Sequence, residues 1–133
     1  MISRYSDLIQ ASRSQQEAQR LLFVFCRAEL PDEASDEEKA AFERGEGGAL
    51  TPVICVDKTP DEAPDFQTLV EESRTTGQAW DVVFIAAMSG RGGMAPSTDE
   101  AQQPLTMMVE SIRLGHIGNY LPLDAEGNAV SLG

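Results

Sequence analysis

The residues best suited to chemistry in this chain lie at Ser89-Gly90-Arg91-Gly92-Gly93-Met94-Ala95-Pro96-Ser97, where the apolar run DVVFIAAM at 81–88 empties into a glycine-rich, cation-bearing segment. Amides at Gly90, Gly92 and Gly93 can fold into a concave nest for an anion, and Arg91 supplies a fork of donors. Ser97 with Thr98 opens a helix whose dipole favours negative charge. Ser89, Gly90, Arg91, Gly92, Gly93 and Ser97 are therefore the candidate ligand-binding residues, and the class they fit is an anionic, phosphorylated small metabolite. The segment lacks the Gly-Lys-Ser or Gly-Lys-Thr ending of a phosphate-binding loop and the glycine spacing of a dinucleotide site. An exposed turn that merely reverses the chain is the competing reading.

Asp57 and Lys58 follow a second apolar run and Glu29 a first. Asp57 and Glu29 are the candidate catalytic residues, as general bases, because a positioned carboxylate can take a proton from a substrate. The competing reading is a solvated cap after a strand. Carboxylates without a histidine suit magnesium at best, and neither a metal site nor a cofactor is expected. His116 follows Gly115 at a helix end, where a cationic ring would favour the dipole. No Gly-x-Ser-x-Gly elbow, no histidine-containing zinc pattern and no cysteine with an obvious basic partner is present, which disfavours the familiar hydrolase and metalloenzyme routes.

Elements to position these groups are legible. Ser6 can cap a helix carrying Leu8, Ile9 and Ala11, which could extend through the polar segment to Arg20. LLFVFC at 21–26 is the continuous apolar run of a strand covered on both faces. Ser35 to Glu38 has capping-box spacing, and the helix behind it has only the thin stripe Ala40, Ala41, Phe42 before Gly45, Gly47 and Gly48 end it. LTPVICV at 50–56 reads as a strand that lies at an edge near Pro52 or begins after it, since proline donates no ladder hydrogen bond. Pro64 or Asp65 opens a helix with Phe66, Leu69 and Val70 on one face, ended by Gly77. The run at 82–88 is a third strand, with Trp80 anchoring its start. Ser97 to Glu100 is another capping box before the stripe Leu105, Met108, Val109, Ile112. Pro104 fits a helix starting near Gln103 or a kink in one starting near Thr98. Ile117 to Leu123, the turn-prone 124–128 and Ala129 to Leu132 suggest a terminal hairpin.

Alternating strands and helices predict one α/β domain over 1–133: a mainly parallel sheet of three to five strands flanked by helices, with an antiparallel C-terminal hairpin. Parallel strands would bring the segments at 27–34, 57–64 and 89–96 to one rim, where ligands settle in open α/β sheets.

The net charge of −12 is concentrated in the middle of the chain: −6 between Glu29 and Glu46 and −5 between Asp57 and Glu72. Such a belt repels phosphodiesters and anionic lipid, so neither nucleic acid nor a membrane is an expected partner. Its alternatives are plain solubility or an acidic docking surface. No apolar stretch approaches the roughly 20 residues of a membrane span, and MISRYSDLIQ lacks a signal-like apolar centre, so a cytoplasmic location is expected. Cys26 and Cys55 then read as buried, reduced thiols. Met88, Met94, Met107 and Met108 are core residues or the lining of an adaptable groove.

LLFVF at 21–25, GEGGALTPVICVDK at 45–58, VVFIAAMSGRGG at 82–93 and the ending YLPLDAEGNAVSLG resemble a group of short proteobacterial proteins often labelled ribonucleotide reductase alpha subunit. That label implies a radical-forming cysteine, a redox cysteine pair and a barrel of several hundred residues. Cys26 and Cys55 in 133 residues do not supply them, so the resemblance assigns no catalytic residue. The function expected is a noncatalytic binding or interaction module that acts through a protein partner or a bound ligand, or as a homo-oligomer, one route to which is pairing between subunits along the exposed edge of the final hairpin. The alternative is an enzyme or sensor of a phosphorylated metabolite at the strand-exit rim.

Overall fold

The computed structural model describes residues 4–30, 33–43 and 49–130. Eight elements follow in order: α1 (Tyr5–Arg13), β1 (Gln19–Glu29), α2 (Asp36–Glu43), β2 (Ala49–Lys58), α3 (Phe66–Arg74), β3 (Val82–Ser89), α4 (Thr98–Arg113) and β4 (Leu121–Asp124). They build one four-stranded sheet in the order β2-β1-β3-β4.

Every neighbouring pair in that sheet is antiparallel, which corrects the expected parallel arrangement. The misleading element is α2. A crossover helix must lay an apolar face on the sheet, whereas α2 buries no described side chain and belongs to a long hairpin connection between β1 and β2. The unit β2-α3-β3 does join two parallel strands, but β1 lies between them as a split βαβ arrangement. The apolar run of β1 reported its burial correctly and its neighbours' direction not at all.

Burial comes from three layers. Leu21, Phe23 and Phe25 of β1, with Val83 and Ile85 of β3 and Leu123 of β4, pack against Tyr5 and Ile9 of α1 and Leu69 of α3. On the other face Leu22, Val24 and Cys26, with Val82 and Phe84, pack against Ala101, Leu105, Met108 and Ile112 of α4. The period-2 alternation of β1 thus feeds two cores at once. At about 25 cal/mol per Å² of apolar area these two cores dominate the folding free energy.

Helix boundaries follow local chemistry. The hydroxyl of Ser35 accepts from the Glu38 amide while the Glu38 carboxylate accepts from the Ser35 amide, as the spacing predicts. Asp65 caps α3 through the Thr68 amide at 2.8 Å. The first helix starts at Tyr5, not behind Ser6, and stops at Arg13, so β1 takes up Gln19 and Arg20 from the polar segment. Pro104 lies inside α4, the longer of its two predicted settings. Pro52 lies inside β2, which is an edge strand. Opposite the Phe25/Cys26 step Val53 is unpaired, a bulge that accommodates the proline. Of the predicted hairpin, β4 bridges Ala129, with Asp124 Oδ1 accepting from the amides of Glu126 and Asn128 in its turn, while Ser131 and Leu132 of the return arm lie outside the described residues.

Candidate functional site

The antiparallel order splits the predicted rim. Asp57 and Ser89 still leave the sheet at one end, because β2 and β3 flank β1 in the same direction, but Glu29 leaves at the other. The position expected for Glu29 is filled by the start of β1, and there the sequence offers Arg20.

Arg20 organises this end. Its Nη1 donates to Asp57 Oδ2 at 2.7 Å, its Nε donates to the Pro96 carbonyl, and Glu62 lies 3.8 Å away. Thr98 Oγ1, in the first turn of α4, donates to the same Asp57 Oδ2 at 2.9 Å. The side chains of Arg20 and Asp57 are only 13% and 11% exposed, so removing either leaves a largely desolvated charge. One carboxylate oxygen accepting two donors ties together β1, β2 and α4. Asp57 is a structural anchor in this geometry, not an unengaged base.

The glycine-rich segment is built by its own chain. The Gln19 side chain donates to Ser89 Oγ at 2.7 Å and the Gly90 amide to the Ala18 carbonyl at 2.8 Å. Arg91 and Met94 exchange backbone hydrogen bonds of 3.0 Å around Gly92 and Gly93, at φ 59° and 81°, the two positive values of a type I′ turn. A side chain at Gly90 would collide with the Met94 carbonyl, its Cβ falling 1.8 Å from that oxygen. The Gly93 amide donates to Glu17 Oε2 at 3.1 Å, and the Ser97 amide donates to Glu100 Oε1 at 3.1 Å in a complete capping box. That box, chiefly the Ser97 amide, holds the Glu100 carboxyl below its ordinary range, with the Arg91 cation adding to it. The predicted anion donors Gly93 and Ser97 are thus occupied by internal carboxylates, while the Arg91 side chain is exposed.

At the opposite end Glu29 is exposed, 3.9 Å from Arg27 and accepting from Thr51 Oγ1 at 3.3 Å. Trp80 anchors this end as predicted: its indole stacks edge-on to Phe25 at 4.9 Å and donates to Ser73 Oγ at 2.9 Å. The acidic belt includes α2, whose first turn is Asp36, Glu37 and Glu38.

Cys26 is buried, and burial pushes its thiol up to about 12. That is opposite to an activated nucleophile, whose pKa is depressed. Cys55 is exposed, contrary to its predicted burial, because β2 is an edge strand. The two sulfurs are free, and Cys26 faces Pro52 in the ladder while Cys55 faces Val24. Of the methionines, Met108 is in the core and Met88 packs against it, while Met94 and Met107 are 75% and 62% exposed, so they line no common groove. His116 is exposed.

Two open depressions of about 390 and 300 Å³ flank Pro64, one beside Ile9 and Arg13 of α1, the other beside Phe66 and Gly127. Neither adjoins Arg91 or Asp57. Among the described residues no group of three or more His, Cys, Asp or Glu side chains is placed to hold a metal ion. Among them, too, no helix is long and apolar enough to cross a membrane.

The other distinctive surface is the outer edge of β2. Among the described residues, none of its ten residues makes a backbone hydrogen bond to any segment other than β1. Along 49–56 it carries no charged side chain. Pro52 was the sequence signal for this edge. Nothing in the spacing of Glu17 or Arg20 signalled their partners, beyond the general rule that an arginine leading a buried strand needs one. Compared with protein-family models, with curated proteins and with solved structures, the chain matches none of them.

Proposed function

We propose that this chain is a small cytoplasmic α/β interaction module that acts without catalysis, receiving an extended segment along the outer edge of β2. The observation that carries this is the ten-residue strand with its backbone partnered on one side only and its first eight residues uncharged. An unpaired edge presents alternating donors and acceptors that a strand from outside can satisfy, with side-chain contacts supplying selectivity. The acidic belt makes nucleic acid and anionic membrane surfaces poor partners for the same protein.

Display of a random decapeptide library against the protein tests this role. Selected peptides should alternate apolar residues, bind the wild type and lose binding to the Thr51→Lys, Cys55→Lys double variant, since lysines on an edge obstruct strand addition. Selection of peptides that bind both proteins equally would contradict it.

A phosphorylated metabolite at the rim is the second reading, supported by the exposed Arg91 cation at the glycine turn. Such a ligand must displace Glu17 from the Gly93 amide and approach Asp99 and Glu100 in the first turn of α4. A thermal-shift series with nucleotides and sugar phosphates decides it: stabilisation lost by about 1.5 to 3 kcal/mol of binding in Arg91→Ala supports the rim. No shift with any of them removes that support.

A further inference from the structure

We infer that the segment received along β2 is the β2 strand of a second copy, paired antiparallel about a twofold axis that passes between Val53 and Ile54. This rests on the strand-receiving role proposed above and adds the partner and the register.

The bulge restricts the register. Ile54, Val56 and Lys58 point to the face covered by α1 and α3, since they oppose Phe25, Phe23 and Leu21 of that core. Beyond the unpaired Val53, Ala49 and Thr51 take that face, opposite Glu29 and Arg27, and Leu50 packs on the α4 side. A twofold axis normal to the sheet keeps like faces together, so odd-numbered residues before the bulge must meet even-numbered ones after it. The register that does this over all ten residues pairs 49 with 58, 50 with 57, 51 with 56, 52 with 55 and 53 with 54. The two four-stranded sheets then form one continuous sheet.

Charge permits the same register. Two chains of net charge −12 repel, and 49–56 is a strand segment without a carboxylate through which they can meet. The one carboxylate of β2, Asp57, is already neutralised by Arg20. At each end of the ladder, Lys58 of the second copy falls beside Ala49, in line with Glu29 of β1 on the same face, and turns toward it from the Glu72 carboxylate that it holds at 2.7 Å within its own chain. Two strand spacings, about 10 Å between Cα atoms, separate that lysine from Glu29, within the combined reach of the two side chains. Glu29 has only the 3.9 Å contact to Arg27 and the Thr51 hydroxyl to give up or share.

Cysteine cross-linking tests the register. Residue 52 faces Cys55 of the second copy, with Cα atoms about 5 Å apart, inside the disulfide range. The two Cys55 residues are offset by three positions, roughly 10 Å along the strand, and cannot bridge. Mild oxidation should convert Pro52→Cys to a covalent dimer and leave the wild type unlinked, although light scattering finds both dimeric. Separately, Glu29→Lys should weaken the wild-type dimer about five- to tenfold, and adding Lys58→Glu, which also gives up the Glu72 bridge inside its own chain, should restore the dimer. Those residues lie at opposite ends of the β1–β2 ladder within one chain, so restoration requires two copies. Oxidative linkage of the wild type through Cys55 would overturn the register, and a strict monomer at every concentration would overturn the second copy as partner. If that monomer still binds selected decapeptides at β2, the strand-receiving role survives; if it binds none, both fall.

Discussion

The two edges of the sheet are finished in opposite ways. At one, β4 is four residues long, and its far side is covered by the chain itself: Leu123 bridges Ala129, the Val130 amide donates to the Pro122 carbonyl, and Arg4 bridges Asn128. At the other, β2 is ten residues long and its backbone is partnered only by β1 among the described residues. Folded chains cover, shorten or charge their edges to avoid unwanted pairing. Here one edge is both shortened and covered, while the other is blunted only by a proline and a bulge in mid-strand. The pairing proposed for β2 rests on that difference. The two ends of the sheet differ in a related way: the Arg20 end is tied down by hydrogen bonds between side chains and backbone, whereas the Glu29 end leads into the solvated α2.

Substitutions can break this contrast, and the largest effect belongs to the covered edge. Leu123 is fully buried, so Leu123→Ala should cost about 4 kcal/mol in denaturant unfolding. Thr51→Lys with Cys55→Lys on the bare edge should change the stability of the isolated subunit by no more than about 0.5 kcal/mol while abolishing dimerisation. Equal losses at both edges would erase the distinction.

Burial separates two ion pairs at the Arg20 end next. Arg20→Ala should cost about 3 kcal/mol by stranding Asp57 beside the sheet, whereas Arg13→Ala, whose partner Asp61 is 91% exposed, should cost less than about 1 kcal/mol.

Alkaline pH probes the buried centre shared by both edges. A thiol whose folded pKa lies above its unfolded value favours folding while neutral. That contribution is complete below pH 9.0 and is lost as pH rises toward about 12, by at most about 1.4 kcal/mol per pH unit. Cys26→Val should flatten that slope.

The smallest effect is on the acid side. The Thr68 amide holds the Asp65 carboxyl below its ordinary 3.8, so its contribution is present above that pH and lost as pH falls through the lower folded value. Asp65→Asn retains a cap for α3 and should lessen the acid-side loss seen in a pH series of thermal unfolding.

Much of this fold was legible where burial and capping decide it. LLFVFC and VVFIAAM fall within β1 and β3, and both predicted capping boxes form. Strand direction was not legible, because a helix between two strands looks alike in sequence whether it crosses over or sits in a hairpin. The thin stripe Ala40, Ala41, Phe42 was the available warning, since a crossover helix needs a wider apolar face. Asp57 was correctly placed at a strand exit, but its engagement by Arg20 and Thr98 depends on contacts 37 and 41 residues apart that no local pattern encodes. Glu29 moved to the far end for the same reason that the sheet reversed. Of the glycine segment, the tight turn was readable from Arg91-Gly92-Gly93-Met94, while Glu17 as the acceptor of the Gly93 amide was not.

Hydrogen exchange at increasing protein concentration tests most directly whether β2 pairs with another copy of itself. The outward half of the amides at 49–58 should exchange rapidly in dilute solution and become protected as concentration rises, with β4 unchanged throughout. Protection of 49–58 that is the same at every concentration would contradict it.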